Sequence, residues 1–569
     1  MSDAGKPINP RGQTPDVGVP RELAERLTVA EQHDWVQHFL RQRPVSRRSA
    51  LKGAAGALTA LGAGVLLGDW GGSVVRGSAG YTPPPVLGRR LSFGADPRTQ
   101  MAMAAELTQR PTGPVLVDLG LDRGYGRTLT AEVRHLISAV PQQDGSIRAA
   151  EQYFVHAVAH GLEPGRAHHY RLRLPGGVVT PDAAFRTAPL GGEPFSFTAF
   201  GDHGVDQGYG LPAGFGNEYN HRDTRRTQQP AASLVGLVAA QRPAFHLLAG
   251  DICYPGSDGE PVRNNAPHSS DSGFDNYDPL VWTRYFASIE PSAADTPWMF
   301  ATGNHDMEAL YDDNRAGGAT HGYGGHAARL DLPTNGPSGC PSVYSFRYGN
   351  VAFLSLDAND LTHEIRPNAG YSEGRQVAWA RGTLYQLRAD PRIDFIVAFF
   401  HHCAYSTGAG HGSDDGVRGA LAPLLDEFSV DLVIQGHNHC WERTDPIRGG
   451  RATTAAPNGS VVRPATDGTT YICAGSGGRA RGPWMPGETD RYAGLAGTDA
   501  EVASTLSVTG GGTVPETVGW SRARYRGYAM LTVGVVPGLP GFQSTMTVRT
   551  TSDRGQLLDT VTLIRPTST

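Results

Sequence analysis

Apolar and polar positions change their rhythm once along the body of this chain. From about Leu91 to Pro189 the pattern is short alternating stretches. Gln152-Tyr153-Phe154-Val155-His156-Ala157-Val158 is one, Gly161-Leu162-Glu163-Pro164-Gly165 is a turn, and His169 to Leu174 returns. Ala184 to Pro189 closes the segment, which predicts an all-β unit. A second regime opens at Phe195-Ser196-Phe197-Thr198-Ala199-Phe200. Strand-like runs at Phe245–Ala249, Val351–Leu356, Phe395–Phe400 and Leu432–Gln435 now alternate with helical patterns. The helices are expected over Leu234–Ala240, Gln376–Leu387 and Leu421–Phe428. Such alternation predicts α/β layering. Three further strands, over Tyr528–Val535, Ser544–Arg549 and Asp559–Arg565, are expected to complete its sheets. Pro255–Pro279 and Trp484–Gly519 read as long polar loops.

Composition narrows the picture. A chain of 569 residues is too long for one ordinary core. A formal net charge of -5 argues against a general nucleic-acid binder. The 74 glycines and 41 prolines favour turns and loops over helical bundles. Five cysteines are too few, and odd in number, for a disulfide scaffold. Cys253, Cys403 and Cys440 adjoin candidate ligands, and are expected as small buried side chains rather than metal thiolates. Near the start, Ser46-Arg47-Arg48-Ser49-Ala50-Leu51-Lys52 precedes a soft run from Ala54 to Gly68. This resembles a twin-arginine export signal, which implies passage through that machinery to the envelope or beyond. The run falls short of the roughly 20 apolar residues that span a bilayer, so no transmembrane anchor is expected. Tyr81-Thr82-Pro83-Pro84-Pro85 reads as a stiff linker.

The chemistry lies where apolar runs end. Ala244–Ala249 leads into Gly250-Asp251-Ile252-Cys253-Tyr254, which puts a carboxylate at the carboxyl end of a buried strand. Four other runs end similarly. They give Gly201-Asp202-His203-Gly204, Gly303-Asn304-His305-Asp306, His401-His402 and Gly436-His437-Asn438-His439. One such pair is a weak signal, whereas five in order is a strong one. Oxygen and imidazole donors without paired cysteines suit iron, zinc or manganese rather than a structural zinc.

This set resembles the calcineurin-like metallophosphoesterases and, more narrowly, the purple acid phosphatases. In many relatives the third residue of the first motif is a metal-binding histidine; here it is Gly204. Tyr254 stands instead where the purple enzymes place a tyrosinate, and Cys440-Trp441-Glu442-Arg443-Thr444 matches that subfamily. The resemblance implies an α/β (α+β) four-layer metallophosphoesterase sandwich over 191–569. Ahead of it would stand a fibronectin type III-like domain over 81–190 and a leader over 1–80.

It also implies two metal sites. Asp202, Asp251, Tyr254 and His439 would hold a ferric ion, and Asp251, Asn304, His401 and His437 an Fe, Zn or Mn dication. A phenol of pKa about 10 binds as phenolate only beside a strong Lewis acid, which agrees with a trivalent ion there. Two ions roughly 3.5–4 Å apart can clamp a phosphate, and a hydroxide held between them attacks phosphorus in line. His305 would face the phosphate and help the leaving group depart, with Asp306 orienting it. The family's ligand histidine is followed after a few residues by a tyrosine, so the resemblance favours His401, spaced in that way from Tyr405, and leaves His402 behind the ligand or facing substrate. His203 is expected on the solvent side of its loop, with substrate contact the alternative. Arg222, Arg225 and Arg226 are expected as a solvated charged face, and His268, His321, His326 and His411 are unranked candidates for the mouth. The expected activity is a secreted phosphomonoesterase acting on small phosphorylated substrates. A phosphodiesterase of nucleotides, phospholipids or cell-wall polymer is the alternative, and a non-catalytic envelope binding protein the remote one.

Overall fold

The computed structural model describes residues 85–141, 147–205, 230–255, 279–307, 322–364, 368–479, 481–493 and 504–567. The leader with its arginine pair, the Arg222–Arg226 cluster, His268, His321 and most of the 255–279 loop lie outside the described residues.

Eight strands between Val86 and Arg186 build two four-stranded antiparallel sheets. One runs, edge to edge, Val86–Phe93, Met101–Leu107, Ile147–Ala159, Glu132–Pro141; the other runs Arg127–Thr130, Leu116–Gly120, Ala167–Arg173, Ala183–Arg186. Ala167–Arg173 shows the period of two that a half-covered strand requires, with His168, Tyr170 and Leu172 buried between exposed or half-buried neighbours. Met101–Leu107 is buried at every position. Its sheet is covered on the outer face as well, by a helix over Leu280–Ala293. Trp282, Tyr285, Phe286, Ile289 and Ala293 recur there at helical spacing, and all are buried. This helix was not among the elements expected above. The Arg90 guanidinium lies 3.7 Å from the Phe286 ring centroid, and Gln152 Nε2 donates to Thr283 Oγ1 at 2.9 Å, fastening the β unit to the helix.

From Phe195 onward two seven-stranded sheets stack. The first runs Trp298–Ala301, His246–Ala249, Phe195–Phe200, Ala529–Val536, Gln543–Ser552, Leu557–Pro566, Ser460–Val462. The second runs Tyr344–Tyr348, Val351–Ser355, Phe395–Phe399, Leu432–Gln435, Thr470–Ala474, Trp441–Thr444, Ser521–Tyr525. Their facing sides share one apolar core. In it Phe197 stacks on Phe245 at 5.2 Å, and both meet Phe353 edge-on at 5.1 and 5.0 Å. Such pairs contribute about 0.5–1.5 kcal/mol each beyond the area they bury. Helices Pro230–Gln241 and Leu280–Ala293 cover the outer face of the first sheet. Helices Arg375–Ala389 and Asp415–Glu427 cover that of the second, making four layers. The C-terminal strand Ala529–Val536 pairs antiparallel with Phe195–Phe200, with Leu531 opposite Ala199.

One expected loop is not all loop. Within 484–519, Ser504–Thr509 and Gly512–Thr517 form an antiparallel hairpin. Its Gly, Thr and Pro content hides the apolar alternation that announces a strand, and most of its second strand is exposed. Among the described residues no helix is long and apolar enough to cross a membrane.

Candidate metal centre

His246–Ala249 runs parallel to both Phe195–Phe200 and Trp298–Ala301, and Phe395–Phe399 runs parallel to Leu432–Gln435. All five strands therefore end at the same edge of the two-sheet core, and each delivers a ligand-type residue there. The turns leaving them are tight. Gly250 has φ +80°, and a Cβ there would stand 2.6 Å from His401 Nδ1. Asp202, Asp251, Tyr254 and His437 also have positive φ, four of the eight non-glycine residues so placed among those described. Left-handed backbone costs of order 1–3 kcal/mol at each such residue, so surrounding structure must hold these side chains in place.

Two donor groups result, and Asp251 belongs to both. In the first, the Tyr254 hydroxyl donates to Asp202 Oδ1 at 3.2 Å and lies 3.2 Å from His439 Nε2. His439 Nε2 is 3.4 Å from Asp202 Oδ1. Asp202, Asp251 and His439 each offer a ligand atom within 4.8 Å of the others. In the second, His401 Nε2 lies 3.0 Å from Asn304 Oδ1, 3.2 Å from Asp251 Oδ1 and 3.3 Å from His437 Nδ1.

Hydrogen bonding on the outer side of each ring fixes what these atoms are. His401 Nδ1 lies 2.9 Å from the Ala249 carbonyl oxygen, which only accepts, so the proton sits on Nδ1 and Nε2 points its lone pair inward. His437 Nε2 lies 2.7 Å from Glu364 Oε2, leaving Nδ1 as an inward lone pair. Two imidazole lone pairs, a carboxylate and an amide oxygen therefore face one another. With both rings neutral these are four acceptors, which a shared cation reconciles, and the donor set fits a metal ion. Without an ion, burial disfavours a charged His401, yet the Asp251 and Asp202 carboxylates outweigh it and push its pKa up to about 10, so a proton on Nε2 stands where a metal ion would bind. Burial, then the neighbouring His411, pushes His437 down to about 4, which suits a neutral ligand. Burial and the Asp202 and Asp251 carboxylates hold the Tyr254 phenol well above its ordinary value, so phenolate at that position requires a strong cation beside it.

A family comparison fits this geometry. The calcineurin-like phosphoesterase family model matches residues 195–441, a span that contains every residue of both donor groups. Residues 195–441 are a calcineurin-like phosphoesterase domain. The chain is 29% identical over 525 residues to an uncharacterized protein of Mycobacterium tuberculosis, covering 87% of this chain and 90% of that one. It is 25% identical over 351 residues to purple acid phosphatase 23 of Arabidopsis thaliana, covering 59% of this chain and 64% of that enzyme. Among solved structures, a purple acid phosphatase from yellow lupin seeds shares the fold, with a TM-score of 0.58 over 84% of this chain and 74% of that one at 17% identity.

Some residues of the phosphoesterase domain stand elsewhere than the sequence suggested, and others stand where it placed them. Asp306, expected to orient His305, turns its carboxylate to the backbone: its two oxygens accept from the Ile252 and Gly303 amides at 2.7 Å each, tying two ligand turns together. His305 donates its backbone N–H to Asp251 Oδ1 at 2.9 Å and lays its half-buried ring 4.5 Å from that of Tyr254. His203 is neither on the solvent side nor at a substrate surface. It is buried, with Nδ1 3.2 Å from the Tyr285 hydroxyl and Nε2 3.2 Å from the Ala231 carbonyl oxygen. His402 is buried behind the ligands, its ring 4.1 Å from that of His437. His326 lies buried on the short helix Gly324–Arg329 rather than at a mouth. All five cysteines are buried and none is in a disulfide among the described residues, and Cys403, Cys440 and Cys473 pack with Trp484 beneath the His437 turn. The Cys403 thiol donates to the Gly436 carbonyl oxygen at 3.0 Å.

The space at Gly204 is filled from elsewhere in the chain. The Arg479 guanidinium lies 3.9 Å from the Tyr254 ring centroid, and a Cβ on Gly204 would meet Arg479 Cδ at 2.7 Å. Sequence reading missed this arginine and also Glu364, which joins His437 to His411. A signal for Glu364 existed. Val351–Ser355 is another parallel strand of the second sheet, and its exit loop opens at the ligand edge.

Because acceptors crowd both groups, stripping the metals with a chelator is expected to lower the midpoint of thermal unfolding, and re-adding them to restore it. Differential scanning fluorimetry checks this. An unchanged midpoint would mean that the acceptors hold no ion.

Proposed function

We propose that this protein is an exported, binuclear metal-dependent phosphatase that hydrolyses small phosphomonoesters. The observation that carries this reading is the meeting of seven ligand-type side chains in two groups with Asp251 common to both. Asp202, Asp251, Tyr254 and His439 would hold one ion, and Asp251, Asn304, His401 and His437 the other. We assign ferric iron to the tyrosine side and a dication of iron, zinc or manganese to the other. A bound pair of this kind supplies charge for a phosphate and makes water acidic enough to act as a nucleophile near neutral pH.

The chain's own groups do the rest. The ligand turns are tied by backbone bonds that keep Asp202 and Asp251 aimed: the His437 amide donates to Asp202 Oδ2 at 2.8 Å, and the His305 amide to Asp251 Oδ1. The His305 ring, half-exposed beside Tyr254, is placed to contact a phosphoryl oxygen or to give a proton to a departing alkoxide. The N-terminal β unit is the fibronectin-like module of this reading and carries no chemistry of its own. Export by the twin-arginine route would suit an enzyme that folds around its metals before crossing.

The test compares p-nitrophenyl phosphate with its bis ester on protein whose metals are measured on the same sample. Faster turnover of the monoester, with about two ions per chain and at least one of them iron, is expected. Faster turnover of the diester would make the protein a phosphodiesterase, and a single zinc would overturn the ferric assignment. A further prediction concerns colour. Tyr254→Phe should abolish any visible tyrosinate-to-iron charge-transfer absorption while leaving the fold intact. Absorption that survives the substitution would show that Tyr254 is not bound.

A further inference from the structure

We propose that Glu364 is a positioning residue for the second ion, holding His437 and His411 in a fixed register from outside the donor groups. The inference rests on the binuclear reading above. Both carboxylate oxygens are engaged: Oε2 lies 2.7 Å from His437 Nε2, and Oε1 lies 2.8 Å from His411 Nδ1. His437 needs such support. Its backbone is left-handed, with φ +67°, and its ring is flanked by His411 at 4.0 Å and His402 at 4.1 Å between centroids. Among the described residues neither His402 nitrogen has a hydrogen-bond partner, so His402 packs against His437 without steering it. The outer nitrogen of His437 therefore takes its direction from Glu364. A carboxylate there fixes the tautomer that keeps Nδ1 free to bind metal and makes that nitrogen a stronger donor.

One competing use of the same atoms is a third cation. Glu364, His402 and His437 each offer a ligand atom within 4.8 Å of the others. The distances favour positioning. Two ligands of one tetrahedral ion stand roughly 3.4 Å apart when the bonds are near 2.1 Å. Separations in the two donor groups run from 3.0 to 3.4 Å. The Glu364–His437 separation of 2.7 Å is that of a charge-assisted hydrogen bond.

The experiment dialyses purified wild-type holoenzyme and Glu364→Gln against graded chelator and measures the metals retained by each. The variant should release the second ion at roughly 10- to 100-fold lower chelator strength while keeping the first. Its metal-free form should unfold at the wild-type temperature. His411→Ala, which removes the other partner of Glu364, should keep both ions. Release of both ions together with a lowered metal-free unfolding temperature would make Glu364 merely structural, and identical retention would overturn the proposal. A wild-type protein with three ions, one of them absent from the variant, would overturn it in favour of the third cation. Wild-type protein that holds no pair of ions would instead overturn the binuclear reading, and this inference with it.

Discussion

Asp251→Asn is expected to fold, to lose its bound pair of ions and to fall in kcat/KM by roughly 1,000-fold or more. Asp251 is the one side chain shared by the two donor groups, so its charge is missed by both ions at once. Asparagine keeps the shape and can still accept the His305 amide, which bonds Asp251 Oδ1 at 2.9 Å. The loss would therefore report charge rather than packing. Elemental analysis and kinetics on one preparation, with circular dichroism as the check on folding, decide it. Full metal content in the variant would show that the shared carboxylate bridges nothing. Asn304→Ala and His437→Ala, each in one group only, should also cut turnover by orders of magnitude while leaving the tyrosine-side ion in place.

A single methyl group at Gly436 should do comparable harm by a different route. A Cβ there would stand 2.5 Å from Asp202 Oδ2, 2.6 Å from the Ala249 carbonyl oxygen and 2.9 Å from His401 Nδ1. Those three atoms belong to three of the five ligand turns, and contacts under 3.0 Å force at least one to move. Ala249 and His401 are themselves bonded to each other, so moving either disturbs the tautomer that points His401 Nε2 inward. Gly436→Ala is expected to lower stability by about 1–3 kcal/mol and to reduce metal retention. Thermal unfolding and elemental analysis check both parts. Wild-type stability with full metal content would show that the turns are looser than this geometry.

The centre was legible because of how its strands are buried. Strands buried on both faces are continuous apolar runs, so the residue that ends each run stands out. Asp202, Asp251, Asn304, His401 and His437 each follow such a run. What failed to show was whatever depends on loops meeting across the fold. Glu364 and Arg479 belong to no motif, and their roles come from packing against His437 and Tyr254. His203 looked solvent-facing because it lies between Asp202 and Gly204, yet the sheet carries it beneath the turn onto Tyr285 and Ala231. Asp306 looked like a partner for the adjacent His305, but its carboxylate turns back to close the Gly303 and Ile252 amides. In the fold, the helix over Leu280–Ala293 was obscured by Pro291, a residue that ordinarily breaks a helix, although its apolar face is regular.

The most direct test is anomalous diffraction from crystals of metal-replete protein, collected at the iron and zinc edges. Two peaks roughly 3.5–4 Å apart are expected, with one Asp251 oxygen on each side, Tyr254 and His439 at the first peak and Asn304, His401 and His437 at the second. A lone peak, or a pair that leaves Asp251 out of reach of one member, would contradict the account.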